Sequence, residues 1–245
     1  MNGNIARNRE LLESLCEKAV FSSQVGLAIM PSFVHLPLAS QRLAESFIDF
    51  GAQDMSAHES GAFTGEVSAT MLTDLGCRYA IVGHSERRQR HAESEELVAE
   101  KAVRALAAGL TPIVCVGETL QEKEQGQAQP VVLKQLMPVL AEVQPSELAK
   151  LVIAYEPVWA IGTGLTASPE EAQSMHAYIR RTLCESDDES GQQVKILYGG
   201  SVKPDNAKRL FEQNDINGAL VGGAALDASA FLKIHEIARE SICTE

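Results

Sequence analysis

Short apolar runs rich in Val and Ile alternate along this chain with longer stretches in which apolar residues return every three or four positions. Runs of the first kind are nearly all apolar, as strands covered on both faces must be, and the alternation is that of βα units repeated around a parallel sheet. Seven strands can be counted, at residues 26–31, 51–55, 79–83, 111–116, 151–155, 194–198 and 219–222. Helical stretches accompany them at about residues 37–49, 68–75, 93–108, 130–141, 168–185, 204–212 and 227–242. Ahead of the first strand, Ile5, Leu11, Leu12, Leu15 and Ala19 recur at spacings of three and four, which predicts an eighth amphipathic helix.

Eight helices with seven strands is one strand short of a closed barrel of eight parallel strands, in which closure leaves no edge unpaired. The pattern therefore predicts an α/β chain, a (βα)8 barrel with seven of its eight strands present, as one domain over residues 1–245. The unmatched position falls before the first helix. The polar stretches 121–129 and 185–193 read as loops.

Composition narrows the function classes. With 45% hydrophobic and 22% charged residues the chain reads as globular. A net charge of -12 opposes nonspecific binding to nucleic acid or anionic membrane, so an anionic substrate has to be captured by local groups. No apolar run approaches the roughly 18 residues of a spanning helix and no secretory leader pattern opens the chain, which points to a soluble, cytoplasmic protein. The five cysteines are scattered without a CxxC pair and read as reduced thiols. The six histidines show no ligand spacing, and no metal is predicted.

In a βα barrel the working residues project from the C-terminal ends of strands. The third counted strand closes as Gly83-His84-Ser85-Glu86 and the fifth as Tyr155-Glu156-Pro157, placing an imidazole and a carboxylate at one rim. Such a pair can move a proton between adjacent carbons, the carboxylate taking it while the imidazole polarises the oxygen. Against this stands a plainer reading, in which Glu156 caps a helix or meets an arginine and His84 is a hydrogen-bonded core residue. After Glu156, Pro157-Val158-Trp159-Ala160-Ile161-Gly162-Thr163-Gly164 has an apolar tip between proline and glycines, suited to a hinged lid or to an ordinary βα loop. Gly199-Gly200-Ser201 and Gly222-Gly223 close the last two strands, where barrels often bind phosphate through backbone N–H groups.

These motifs, Val82 to Arg88, Ala154 to Gly164, Tyr198 to Ser201 and Val221 to Ala224, resemble in their order the triosephosphate isomerase family, whose fold is the TIM barrel. That family is itself a standard worked case of a carboxylate base beside a neutral imidazole, so these roles come with the resemblance. It implies that Glu156 is the proton acceptor and His84 the electrophile, with Ser85 and Glu86 supporting them. Gly162, Ser201, Gly222 and Gly223 then hold the substrate phosphate, and Pro157, Val158, Trp159, Ala160, Ile161, Thr163 and Gly164 form the lid. The implied reaction interconverts dihydroxyacetone phosphate and glyceraldehyde 3-phosphate, a step of glycolysis and gluconeogenesis, with no cofactor. Residues 53–65, with Gln53, Thr64 and Gly65, match the loop by which subunits of the family interlock, which implies a homodimer.

Two departures stand out. Asp54 occupies a position where the family usually has an amide. The family's first strand ends in an asparagine and a lysine, and Met1-Asn2-Gly3 resembles the tripeptide after that lysine, so the cationic substrate contact is expected to be missing. Loss of one such group is expected to lower turnover by at least ~10²-fold. Two rival readings follow: a catalytically impaired barrel that retains phosphate binding, and a different phosphate-binding barrel isomerase. The acidic run Glu93, Glu95, Glu96 and Glu100 reads as a solvated helix face, Arg87 and Arg88 as structural ion pairs, and Cys115 as packing.

Overall fold

The computed structural model describes residues 1–162 and 166–242. Seven parallel strands, β1 (Ala28–Ile29), β2 (Asp49–Ala52), β3 (Tyr79–Val82), β4 (Thr111–Val116), β5 (Val152–Tyr155), β6 (Lys195–Tyr198) and β7 (Gly218–Ala219), pair in sequence order. The sheet is a curled, incomplete α/β barrel, and among the described residues no pairing joins β7 back to β1. Because every strand runs the same way, all seven C-terminal ends lie at one rim.

Side chains alternate across this sheet with the period of two that a strand imposes. Ile81, Ile113, Cys115 and Ala154 form a small cluster on one face, inside the curl. Their neighbours Ala80, Val82, Val114, Ile153 and Tyr155 join the larger core beneath the helices. Helices α1 (Ile5–Lys18), α2 (Leu36–Leu43) and α3 (Ala69–Asp74) come first in the chain. They are followed by α4 (Ser85–His91), α5 (Glu95–Ala107), α6 (Leu120–Glu124), α7 (Ala128–Glu142) and α8 (Pro145–Leu148). The last are α9 (Pro169–Ser186), α10 (Asp188–Gln193), α11 (Pro204–Phe211) and α12 (Ala228–Ile242). No helix among the described residues is long and apolar enough to cross a membrane.

The N-terminal helix and all seven strands are present, but β1 is shorter than the expected 26–31, β2 begins two residues before the expected 51–55 and ends at Ala52, and β7 ends at Ala219 rather than at residue 222. The short helices depart further from the pattern. Residues 121–129 and 185–193 are not simple loops: Thr119 and Glu122 close a capping box on α6, and Asp187 accepts from Ser190 N–H at the start of α10. Such one- or two-turn helices are set by capping groups rather than by an apolar stripe. The stretch 37–49 is helical only to Leu43, because Asp49 already pairs in β2.

The acidic run is also corrected in part. Glu96 and Glu100 are exposed, but Glu93 is buried and precedes α5, which Ser94 caps. Glu93 Oε1 meets Lys101 Nζ at 2.6 Å and Arg87 Nε at 2.7 Å; Asp54 meets the same two cations at 2.7 and 2.9 Å. Two acids and two bases thereby tie the segment after β2 to α4 and α5. Arg88 makes no ion pair there; it donates to the carbonyls of Gly83 and Cys115 at 2.8 and 3.1 Å.

Removing one partner of a buried ionic cluster leaves its counter-charges without compensation. Lys101→Met is therefore expected to lower unfolding stability by about 3 kcal/mol or more, measured by urea denaturation. A loss below about 0.5 kcal/mol, the range of an ordinary surface substitution, would contradict this account of the cluster.

Candidate active site

Only Gly83 and His84 separate the end of β3 from α4, and His84 caps the helix. As N-cap it leaves its imidazole at the helix start, where Glu86 N–H points at Nδ1 at 3.3 Å. The ring nitrogen thus takes the place of the usual capping oxygen. With Nδ1 accepting, the proton of a neutral ring sits on Nε2, which lies 2.9 Å from Glu156 Oε1.

Glu156 follows β5 and its residue is only 1% exposed, so its carboxylate depends on donors inside the protein. Its second oxygen, Oε2, accepts from Ser85 N–H at 2.8 Å. The first turn of α4 therefore serves both groups: Ser85 N–H faces the carboxylate and Glu86 N–H faces the imidazole. Backbone packing around Glu156 is close enough to demand glycine. A Cβ on Gly117 would sit 1.7 Å from the Glu156 carbonyl oxygen, and one on Gly199 would sit 2.9 Å from Glu156 Cγ.

Charge and burial compete at His84. Burial disfavours the imidazolium, but the hydrogen bond and negative charge of Glu156 outweigh it and hold the pKa above the ordinary histidine value. The pair therefore contributes its full stabilisation below that ordinary value, and the contribution fades as pH rises through the raised one.

His84, Glu86, Glu156, Gly162, Ser201, Gly222 and Gly223 line one common opening. Gly222 caps a short 3-10 turn over Gly223–Leu226, so backbone N–H groups start a turn three residues after β7. Ser85 lies buried beneath this opening, and its role in the geometry is carried by the backbone N–H. Glu86 is likewise placed by its N–H, its side chain being exposed. Gln53 lines the same opening and donates to the Met30 carbonyl at 2.8 Å, whereas Thr64 and Gly65 stand exposed on the loop before α3.

In the segment after Glu156, Val158–Ala160 forms a 3-10 turn. Thr163 and Gly164 lie outside the described residues. Trp159 Nε1 donates to Glu118 Oε1 at 2.7 Å, Tyr155 Oη donates to the same oxygen at 3.1 Å, and Lys123 Nζ sits 3.4 Å from the centre of the Trp159 ring. Burial pushes the Glu118 carboxyl up against the lowering effect of those two donors. Sequence reasoning overlooked Glu118, although it stands two residues past the end of β4, on the rim where Glu156 directly follows β5. Cys115 is fully buried; burial and the Glu156 charge drive its thiol well above the usual range, consistent with packing.

An imidazole and a carboxylate facing each other beside two glycine turns fit proton transfer on a small phosphorylated substrate. The sequence profile that matches residues 1–238 is that of triosephosphate isomerase. The chain belongs to the triosephosphate isomerase family. It is 53% identical over 235 residues to the triosephosphate isomerase of Herminiimonas arsenicoxydans, covering 96% of this chain and 94% of the relative. The Thermus thermophilus enzyme of that name is 55% identical over 212 residues, 86% of this chain and 85% of its own. The Bordetella pertussis enzyme is 53% identical over 234 residues, 96% and 92% of the two chains.

The opposed effects at His84 give a direct measurement. In Glu156→Gln the charge is gone while burial remains, so the His84 titration midpoint, followed by NMR of the ring nitrogens, is expected to fall from above to below the ordinary histidine value. A midpoint that does not move would show that the Glu156 contact does not govern the ring.

Proposed function

We propose that this chain interconverts dihydroxyacetone phosphate and glyceraldehyde 3-phosphate by proton transfer through an enediolate. The observation that carries this reading is the 2.9 Å contact between His84 Nε2 and Glu156 Oε1 at the mouth that the glycine turns after β6 and β7 also line. The profile match over residues 1–238 and relatives named triosephosphate isomerase at about half identity support it.

In this mechanism substrate enters between the two side chains. Glu156 removes a proton from one carbon and returns it to the neighbouring one. His84 donates from Nε2 to the substrate oxygen on which negative charge develops, and Glu86 N–H at Nδ1 keeps that proton on Nε2. Ser85 N–H holds the carboxylate in line while it exchanges the proton. The backbone N–H groups of Gly162, Gly222 and Gly223, with the Ser201 hydroxyl, bind the phosphate. The lid, Pro157 to Gly164, covers the site and excludes water, with the Trp159 Nε1 bond to Glu118 as its anchor. No cofactor enters the reaction.

The purified protein is expected to convert glyceraldehyde 3-phosphate to dihydroxyacetone phosphate in an assay coupled to reduction of the ketone. Glu156→Asp, which withdraws the carboxylate by one methylene, is expected to lower kcat by about 10²-fold or more with a smaller change in KM. Unchanged turnover in that variant would remove Glu156 from the role of base.

The working form is a cytoplasmic homodimer joined through residues 53–65. This loop exposes Thr64 and Gly65 and leaves Phe63 40% exposed, stacked on His58 at 3.7 Å. An exposed aromatic held in a defined stack suits an interface anchor. Light scattering is expected to give twice the chain mass, and Phe63→Asp to shift it toward one chain; a wild-type protein that is monomeric at micromolar concentration would overturn the dimer.

A further inference from the structure

Among the buried positions of α7, Val132, Gln135, Leu136 and Val139 recur at spacings of three and four, so a glutamine sits in the stripe that the helix turns to the core. A buried amide side chain has to find its hydrogen bonds inside the protein. Gln135 turns both ends of its amide to one residue: Oε1 accepts from Gly117 N–H at 2.7 Å and Nε2 donates to the Gly117 carbonyl at 3.1 Å.

The register of the sheet explains why Gly117 needs such a partner. Glu156 N–H donates to the Val116 carbonyl and Val158 N–H to the Glu118 carbonyl, so the ladder between β4 and β5 runs on past the ends of both strands. In a parallel ladder alternate residues face opposite neighbours, and with Val116 and Glu118 turned to β5, Cys115 and Gly117 turn their backbone groups to the β3 side. There β3 has ended at Val82 and the chain has entered α4. Side chains take the place of the third strand: Arg88 meets the Cys115 carbonyl, and Gln135 meets both groups of Gly117. Gly117 in turn packs on the backbone of Glu156, since a Cβ on it would lie 1.7 Å from the Glu156 carbonyl oxygen.

We infer that Gln135 is a positioning residue for the isomerisation: by pairing with Gly117 as a strand would, it fixes the backbone of Glu156 and the carboxylate of Glu118 on which Trp159 of the lid is anchored. The inference rests on the reaction proposed above. Gln135 stands outside the opening that His84 and Glu156 line, so its influence passes through Gly117 and Glu118. The glycine turns and Ser201 assigned to the phosphate belong to other loops. Loss of the pairing therefore acts on the proton transfer and the lid more than on substrate capture.

The test compares variants of the full chain with wild type. Gln135→Met keeps the length of the side chain and removes both hydrogen bonds; kcat is expected to fall by about tenfold or more, with a smaller change in KM. Trp159 is the one tryptophan of the chain, so acrylamide quenching of its fluorescence reads the lid, and quenching is expected to increase in this variant. Gln135→Glu adds a pH signature. Its carboxylate would set a charge against the Gly117 carbonyl, whereas the protonated acid presents one acceptor and one O–H donor, the same pair as the amide, and burial favours that protonated form. The ratio of its kcat to that of wild type is expected to climb as pH falls, while the ratio for Gln135→Met stays level. Val132→Ala, on the same buried stripe, loosens the packing without touching Gly117 and is expected to keep kcat within about twofold of wild type. A folded Gln135→Met that matches wild type in either kcat or quenching would overturn the inference, as would a Gln135→Glu ratio that does not respond to pH, which decides the matter alone if Gln135→Met does not fold. So would an equal loss of kcat in Val132→Ala, because Gln135 would then act by packing only. Failure of the reaction itself is distinguishable, since wild type would then be inactive while the quenching of Trp159 still reads the hold on the lid.

Discussion

A carboxylate taken out of water has to be met by donors already fixed in place, and the arrangement around Glu156 follows from that constraint. One oxygen is met by the Ser85 N–H and the other by the His84 ring. Both donors come from the same turn, where β3 ends and α4 begins, so the position of α4 against the end of β5 sets the geometry of both groups at once. The glycines at 117 and 199 are part of the same constraint, because a side chain at either would displace the backbone or the side chain of Glu156. The wider sheet serves this contact by bringing seven strand ends to one rim.

Support for α4 comes from outside the site. Arg87, one turn along from His84, is held by Asp54 and Glu93, and Lys101 of α5 joins the same two acids. Asp54 itself stands at the start of the loop, residues 53–65, proposed to join two subunits. A mechanical link therefore runs from that loop through a buried ion cluster to the helix whose first turn meets both His84 and Glu156. The raised pKa of Asp54, from burial opposed by Lys101, shows that this link carries an electrostatic cost as well as a gain.

Much of this was legible in the residues. Strand runs such as 111–116 are continuous and apolar because both faces are covered, and Glu156 and His84, which the fold brings within 2.9 Å, could be singled out because polar groups stand where such runs stop. What escaped the pattern did so for physical reasons. Helices α4, α6, α8 and α10 are too short to show a period of 3.6; α4, α6 and α10 are marked by side-chain capping bonds and α8 by a proline at its start. Glu93 looked like its exposed neighbours Glu96 and Glu100, since burial of a charged residue depends on partners as distant as Asp54. Glu118 was overlooked although it stands two residues past the end of a strand, because its partners Trp159 and Tyr155 come together only in the folded chain.

The ion cluster has a further consequence for the field around the molecule. Two acids and two bases cancel within it, so it contributes nothing to the surplus of negative charge, and that surplus resides elsewhere on the protein. Had position 54 been neutral, the remaining three charges would have left a single positive charge beside α4. The aspartate thus gives up a possible attraction for an anion near the mouth, and the phosphate contacts proposed above, backbone N–H groups and the Ser201 hydroxyl, act at short range, where salt screens far less than it screens a distant charge.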